Sequence, residues 1–287
     1  MEIVASIGRM REVARELRER GERTAFVPTM GCLHEGHLAL VRRGRELAPR
    51  VIMSSFVNPT QFAPGEDFAR YPRTPEQDRE SARSEQVDFL FEPTVGEMYP
   101  GGFRTHVEVE GLQDRLCGRT RPGHFRGVAT VVAKLLNVVQ PAFVLFGEKD
   151  RQQLLILERM VADLGFDVVV IGCETVREED GLAMSSRNTY LTGEERASAT
   201  VLRRALAGAA LAFAAGERRG ASLAACMRSA LDAEPRARVD YAEVVDTETL
   251  EPVERIATRA LCALAVYIGR TRLIDNLVLG AERPQET

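Results

Sequence analysis

The sequence predicts an α/β protein, in which a Rossmann-like parallel sheet is followed by a smaller α+β domain. Over residues 1–175, short apolar runs alternate with amphipathic stretches, which is the pattern of a parallel sheet with helical crossovers. From about Thr175, a polar stretch, alanine-rich segments and further strand-like runs replace that alternation. We therefore expect two domains, residues 1–175 and residues 176–287.

The first domain carries an alternating series of expected strands and helices. The expected strands are residues 24–28, 51–57, 87–92, 142–146 and 167–171. The expected helices are residues 12–20, 37–47, 75–84, 126–139 and 152–164. Open sheets of this kind bind ligands beyond the carboxyl ends of their strands. The loops after Val27, Phe56 and Phe146 are therefore where we expect the chemistry.

The second domain reads as helices followed by strands. Helices are expected at residues 194–215 and 222–233, and strands at residues 239–245, 261–268 and 273–279. Runs of helices followed by runs of strands are typical of an α+β domain.

Composition favours a cytoplasmic protein with a small-molecule substrate. The net charge is −4 with no basic cluster, which argues against nucleic-acid binding. The longest apolar run, residues 205–215, is well short of the ~20 residues that cross a membrane, and Arg9 and Arg11 interrupt any secretory signal. The five cysteines have no CxxC or metal-ligand spacing, so we expect reduced thiols.

The segment VPTMGCLHEGHLALV predicts a triphosphate site. A strand ends at Pro28, a turn follows at Gly31, and a helix begins near His37, whose first amides and dipole attract anions. His34 and His37 are three residues apart and face the same side of a helical turn. An HxxH pair alone is as readily a solvated helix start, and an HExxH zinc site is excluded because position 38 is Leu38. With the strand and the glycine turn, the segment resembles the signature of the class I synthetase and nucleotidyltransferase superfamily.

A second phosphate-binding segment is GLAMSSRN. Its Ser185, Ser186 and Arg187, after Met184, can donate to several phosphate oxygens at once. Any polar loop can carry this sequence, so it indicates phosphate binding only in combination with HEGH.

The third segment, FGEKDRQQL, follows an apolar strand. It brings Gly147, Glu148, Lys149 and Asp150 to the carboxyl end of that strand, and a helix then offers Gln153 to the same cleft. Lys149 is one of only two lysines in the chain. The alternative is a surface loop with an internal ion pair.

Three other loops offer polar side chains. In SSFVNPTQF, Asn58 and Gln61 can recognise hydroxyl and carboxylate groups. In YPRTPEQD, Asp78 is a candidate magnesium partner, and in LCGRTRPGHFRGV, Arg121 is a candidate carboxylate partner. Turn chemistry explains the last two nearly as well.

The motifs resemble one family, the pantothenate synthetases, and appear in the family's order over nearly the whole chain. The matching segments are VPTMGCLHEGH, FVNPTQF, YPRTPEQD, LCGRTRPGHFRGVATVVAKLLN, FGEKDRQQL, REEDGLAMSSRN, VDYAEVVD and GRTRLIDNL. One departure is Cys32, where the family usually has a small residue such as alanine.

The resemblance implies a ligase that makes pantothenate in two steps. Pantoate and ATP give pantoyl adenylate and pyrophosphate, and β-alanine then attacks the adenylate to release AMP. It further implies ATP and Mg²⁺ as substrate and cofactor, a homodimer, and His37 as proton donor. We expect excluded water to protect the adenylate, with the second domain and the SSRN loop acting as a lid.

Site residues follow from the same resemblance. The residues expected to act on the phosphates during catalysis are His34, His37, Lys149, Ser185, Ser186 and Arg187. The further residues expected at ATP are Met30, Gly31, Gly147, Glu148, Asp150, Val176 and Met184. The residues expected at pantoate are Thr29, Asn58, Gln61 and Gln153. Gln61 is also expected to contact β-alanine, and Asp78 is the metal candidate.

Two other functions remain open. A nucleotidyltransferase of the same superfamily keeps the nucleotide in its product, and it would want a cationic subsite in place of Asn58, Gln61 and Gln153. A nucleotide-binding regulator without activity would share the fold.

Overall fold

The computed structural model describes residues 1–280, which form two compact units. The first unit comprises Met1–Gln113 and Arg121–Val176, and the second comprises Asp114–Thr120 and the chain from Arg177 onward. The segment Asp114–Thr120 lies within the expected first domain in sequence, yet it clusters with the second unit. One of its attachments is the hydrogen bond from Thr120 Oγ1 to Asp240 Oδ2 (3.0 Å).

A six-stranded parallel sheet forms the centre of the first unit. Its strands are β1 (Glu2–Val4), β2 (Thr24–Thr29), β3 (Arg50–Ser55), β4 (Phe89–Phe91), β5 (Phe143–Gly147) and β6 (Val169–Cys173). Their order in the sheet is β1-β4-β3-β2-β5-β6. Thr29 pairs with Ser55 of β3, and Phe26 pairs with Val144 of β5. The carboxyl ends of β3, β2 and β5 are therefore neighbours, as the parallel-sheet prediction requires.

The edge strand β1 was not predicted. It has three residues, too few to give an apolar pattern, and its Glu2 pairs with Phe89 of β4. The predicted strand of residues 51–57 ends earlier, at Ser55, because Asn58 caps a 3₁₀ turn at Pro59–Gln61.

Helices connect and cover these strands. They are α1 (Ile7–Glu19), α2 (Glu35–Leu47), α3 (Pro75–Ser84), α4 (Val95–Met98), α5 (Leu116–Thr120), α6 (His124–Val139) and α7 (Arg151–Leu164). Of these, α5 belongs to the second unit. Helix α2 packs against β2, β3 and β5 through buried Leu40, Val41 and Gly44. Gly44 allows this close approach, because a Cβ there would lie 3.2 Å from the Cβ of Ala25.

The second unit combines helices with an antiparallel sheet. Its remaining helices are α8 (Gly193–Ser198), α9 (Val201–Ala214) and α10 (Gly220–Asp232). Its strands are β7 (Ala237–Val245), β8 (Arg259–Ile268) and β9 (Thr271–Gly280), in the order β7-β8-β9. The predicted α+β character is therefore present.

The helix predicted at residues 194–215 is present, with one interruption that divides it into α8 and α9. The break lies at Ala199–Thr200, where the Thr200 hydroxyl donates to the Ala197 carbonyl at 2.8 Å. A hydroxyl that competes for helix carbonyls disfavours a continuous helix.

One stretch in the described part of the chain, Gly193–Ala214, is long and apolar enough to span a membrane by length and composition alone. Apolar side chains of this stretch pack in the core of the second unit. The residues of this stretch that are 1% exposed or less are Ala199, Val201, Leu202, Ala205, Leu206 and Ala209. These side chains therefore pack within the second unit.

Candidate active site

The loop between β2 and α2 is shaped by left-handed backbone. Gly31 has φ +78°, and a Cβ there would lie 2.8 Å from both Asp78 Oδ2 and Ser55 Oγ. Cys32 follows with φ +50°, and His34 caps α2. The glycine is therefore required both by backbone conformation and by lack of space.

Asp78 of α3 holds this loop in place. It is 3% exposed, and it accepts hydrogen bonds from the amides of Cys32 (2.9 Å) and Leu33 (2.8 Å) and from Thr74 Oγ1 (3.1 Å). These contacts show that the carboxylate holds the loop in place. The magnesium binding expected of Asp78 stays a prediction. In the described residues, no group of three or more His, Cys, Asp and Glu side chains could hold a metal ion.

The rings of His34 and His37 lie against each other at the start of α2, with centroids 4.0 Å apart and planes tilted by 32°. His34 Nδ1 accepts from the Gly36 amide (3.1 Å), and His37 Nδ1 accepts from the His34 amide (3.3 Å). A backbone amide can only donate, so both Nδ1 atoms are unprotonated, and each neutral ring carries its hydrogen on Nε2.

The surroundings of His37 favour its neutral state. Burial lowers the pKa of His37 well below its ordinary value of 6.5, and repulsion from His34 and Lys149 lowers it further. His37 is therefore a neutral imidazole near pH 7, and it can donate one hydrogen bond from Nε2.

Lys149 lies at the carboxyl end of β5, beside β2. Glu148–Asp150 form a 3₁₀ turn that runs directly into α7. The charge of Lys149 acts on His37, so the predicted convergence of these two segments is found. The internal ion pair considered for this loop is also present, between Arg151 and Glu148 at 3.4 Å. Gln153, in the first turn of α7, is partly exposed.

Asn58 and Thr29 use their hydrogen bonds within the protein. Asn58 is 1% exposed, and its Nδ2 donates to Gln61 Oε1 (3.1 Å) and the Gly127 carbonyl (3.1 Å). Its Oδ1 accepts from the Tyr99 hydroxyl at 2.8 Å. Thr29 Oγ1 donates to the Ser54 carbonyl at 2.7 Å. Both residues therefore shape the loops that carry the other predicted ligands.

Gln61 is held from several sides. Its Nε2 donates to Met30 Sδ at 2.8 Å, and its carbonyl accepts from His124 Nδ1 (2.8 Å) and Arg121 Nη2 (3.3 Å). Helix α6 also approaches this turn closely, because a Cβ on Gly127 would lie 2.3 Å from the Thr60 carbonyl oxygen. Neither His124 nor Tyr99 was selected from the sequence, although RPGHFRG had marked the segment of His124.

The GLAMSSRN segment lies in the second unit and contains a turn that is held by local hydrogen bonds. Ser185 caps the 3₁₀ turn at Ser186–Tyr190 by accepting from the Arg187 amide (3.2 Å). Asn188 Nδ2 donates to Glu178 Oε1 at 2.7 Å.

Arg177, just before this segment, forms two hydrogen bonds with the buried carboxylate of Asp275 (2.7 and 3.0 Å). The turn is thereby tied to β9. Met184 is partly exposed, as is Val176, the last residue of the first unit after β6.

Comparison with known proteins decides the family. The sequence pattern described as pantoate-beta-alanine ligase matches residues 2–278. The chain belongs to this ligase family. A pantothenate synthetase from Moorella thermoacetica is 54% identical over 97% of this chain and 99% of its own length. One from Thermotoga neapolitana is 52% identical over 98% of this chain and 100% of its own length.

Solved structures of the ligase family have the same fold. The enzyme from Thermus thermophilus is 50% identical and superposes with a TM-score of 0.92, covering 96% of this chain and 99% of its own. The ligase from Francisella tularensis, complexed with beta-gamma ATP and beta-alanine, is 32% identical with a TM-score of 0.79, covering 96% and 97%. The predicted family, fold class and ligase class are confirmed.

Proposed function

We propose that this chain condenses pantoate with β-alanine, consuming ATP and releasing AMP and pyrophosphate, through an enzyme-bound pantoyl adenylate. Family membership supports the overall reaction. The observation that carries the chemistry is the neutral pair His34 and His37, which presents Nε2 donors at the start of α2 near the charge of Lys149.

In the first step, the pantoate carboxylate attacks the α-phosphorus, and the bond to the bridging oxygen of pyrophosphate breaks. Negative charge grows on that oxygen and on the phosphate oxygens. The dipole at the amino terminus of α2, the Lys149 ammonium and the two Nε2–H groups offer fixed positive poles for it. His37 is neutral, so we assign it hydrogen-bond donation to the departing pyrophosphate rather than transfer of an imidazolium proton.

Recognition of pantoate is assigned to amide side chains. Gln61 and Gln153 bind its hydroxyl and carboxylate oxygens, while Asn58 and Thr29 position the loops. In the second step, the β-alanine amine attacks the acyl carbon of the adenylate, AMP leaves, and the amide forms, with Gln61 beside both substrates.

The adenosine and the remaining phosphate contacts are proposed from the family pattern. We assign Met30, Gly31, Gly147 and Val176 to adenosine through their backbone, together with Met184. Ser185, Ser186 and Arg187 are assigned to the phosphates. Because their turn is hydrogen-bonded within the second unit, we propose that it moves with that unit as a lid.

Mg²⁺ is proposed to enter with ATP. The described residues do not fit a protein-built metal site, since Asp78 is engaged by loop donors and no cluster of ligands exists among them. Mg²⁺ commonly binds through substrate phosphates and water. We also propose a cytoplasmic homodimer, in keeping with the family resemblance.

One assay tests the function against both alternatives. The protein is incubated with ATP and pantoate, β-alanine is then added, and pyrophosphate and AMP are followed separately. We expect bound adenylate and pyrophosphate before β-alanine, and free AMP only after it. AMP release that does not depend on both substrates refutes pantothenate synthesis, and a product that retains the nucleotide identifies a nucleotidyltransferase.

A further inference from the structure

Arg121, just before α6, is paired with a carboxylate beside Gln61. Its Nε and Nη2 contact the two carboxylate oxygens of Glu66 at 2.7 and 2.6 Å. The same Nη2 lies 3.3 Å from the Gln61 carbonyl, and Nη1 lies 3.1 Å from His124 Nε2. The guanidinium therefore has its carboxylate-binding edge filled, next to the residue assigned to β-alanine.

β-Alanine needs a partner for its carboxylate. The reaction consumes its amine, while the carboxylate stays ionised in the product, so binding should hold it at a fixed cation. Lys149 is assigned to the phosphates, whereas Arg121 contacts the Gln61 turn directly. An arginine fork matches a carboxylate with two parallel hydrogen bonds.

The side chain of Glu66 has the dimensions of the substrate. Two methylenes separate its carboxylate from Cα, and two methylenes separate the carboxylate of β-alanine from its amine. The carboxylate of Glu66 therefore contacts Arg121 in the way that the carboxylate of β-alanine would, and it is attached through the same number of methylenes.

We propose that Arg121 is the subsite for the β-alanine carboxylate, and that Glu66 occupies this subsite until the substrate replaces it. The proposal rests on the proposed function and names a substrate contact within it.

Exchange of one carboxylate for another avoids a large energetic barrier. Arg121 is only 14% exposed, and an unpaired guanidinium at such a position is costly. Its charge stays compensated if β-alanine arrives as Glu66 leaves. Glu66 lies on a segment between Phe62 and Thr74 that contains neither helix nor strand, so its departure disrupts no regular element. His124 keeps its own 2.8 Å bond to the Gln61 carbonyl throughout.

The decisive variant is Glu66→Gln, which weakens the resident competitor and keeps its shape. A resident competitor reduces the apparent affinity for β-alanine in proportion to the fraction of sites that it leaves open. We expect the KM for β-alanine to fall about two- to fivefold, the range for losing one partly exposed ion pair. Propionate, which has the carboxylate without the amine, should compete with β-alanine and inhibit the variant more strongly than the wild type.

The matched control is Glu92→Gln. Glu92, outside the Gln61 turn, forms a similar two-oxygen pair with Arg79 of α3, in which Nη2 contacts Oε2 (2.8 Å) and Nε contacts Oε1 (3.3 Å). This variant should leave the KM for β-alanine unchanged. Pyrophosphate release from ATP and pantoate without β-alanine is measured in every variant, because it reports the adenylation step and hence the proposed function alone.

Two results overturn the proposal while adenylation remains intact in the wild type. The first is an unchanged or higher KM for β-alanine in Glu66→Gln, which makes the ion pair structural. The second comes from Arg121→Lys, which keeps the charge but loses the fork. We expect it to raise the KM for β-alanine at least tenfold with normal pyrophosphate release. An equal loss of pyrophosphate release in that variant shows that Arg121 serves Gln61 instead.

Discussion

Replacing His37 by asparagine separates its two functions. The Nδ1 atom accepts from the His34 amide, whereas Nε2 carries the hydrogen assigned to the pyrophosphate. Asparagine keeps an acceptor in the position of Nδ1 and has no donor in the position of Nε2. Alanine removes both groups and serves as the matched comparison.

The expected magnitudes differ for the two functions. Loss of one preorganised donor lowers adenylation by about 10²–10³-fold, or ~2.7–4 kcal/mol, in both variants. Loss of the hydrogen bond to the His34 amide costs ~0.5–1.5 kcal/mol of unfolding free energy, and only alanine should show it. Single-turnover pyrophosphate release measures the first quantity, and urea unfolding measures the second.

Either of two outcomes refutes this account. Near-normal adenylation by His37→Asn means that Nε2 does not stabilise charge. Equal destabilisation in the asparagine and alanine variants means that the bond to His34 is not what Nδ1 contributes. Neither measurement depends on how β-alanine binds.

The remaining predictions concern charge, pH and the loops. Lys149→Ala should lower adenylation by about 10²–10³-fold, and arginine should restore little of it, because a guanidinium does not replace a compact ammonium; single-turnover rates test both. The kcat/KM for ATP should not fall between about pH 6.5 and 8 through His37, because its folded pKa lies well below 6.5. Because the pKa of His37 is lowered in the folded state, the unfolded chain binds a proton at His37 at a higher pH than the folded chain does. The stability that His37 contributes is therefore lost as the pH falls below about 6.5, and urea unfolding at several pH values should show this loss. Gly31→Ala should destabilise by ~1–3 kcal/mol and weaken ATP binding, measured by calorimetry, because its φ is +78° and its Cβ would meet Asp78. Asp275→Asn should cost ~3–5 kcal/mol in urea unfolding by leaving Arg177 without its charged partner.

The sequence could predict the meeting of His37 and Lys149 because a general rule relates the two segments. Both follow strands of one parallel sheet, and ligand sites form where the carboxyl ends of such strands are neighbours. The HEGH and GEKD segments are far apart in the chain, yet β2 and β5 pair directly. Local pattern and one topological rule were sufficient there.

Contacts made by single polar side chains could not be predicted in the same way. Asp78 binds amides 45 and 46 residues away, and Tyr99 reaches Asn58 across 41 residues. Neither contact leaves a periodic signal in the sequence. The break between α8 and α9 was missed for a related reason, because the hydrogen bond of a single Thr200 hydroxyl leaves no periodic signal among the alanines around it.

Asn58 shows why the assignment of substrate contacts changes once the hydrogen bonds are known. An asparagine amide has two donor hydrogens, and those of Asn58 are used by Gln61 and Gly127. Its oxygen accepts from Tyr99 and from Thr60. A substrate could bind Asn58 only by replacing one of these partners, at a buried position where a lost hydrogen bond is costly. We therefore expect Asn58 to act on the proposed pantoate site by fixing the side chain of Gln61, so substitutions at Asn58 and at Gln61 should impair the same step and should not be additive.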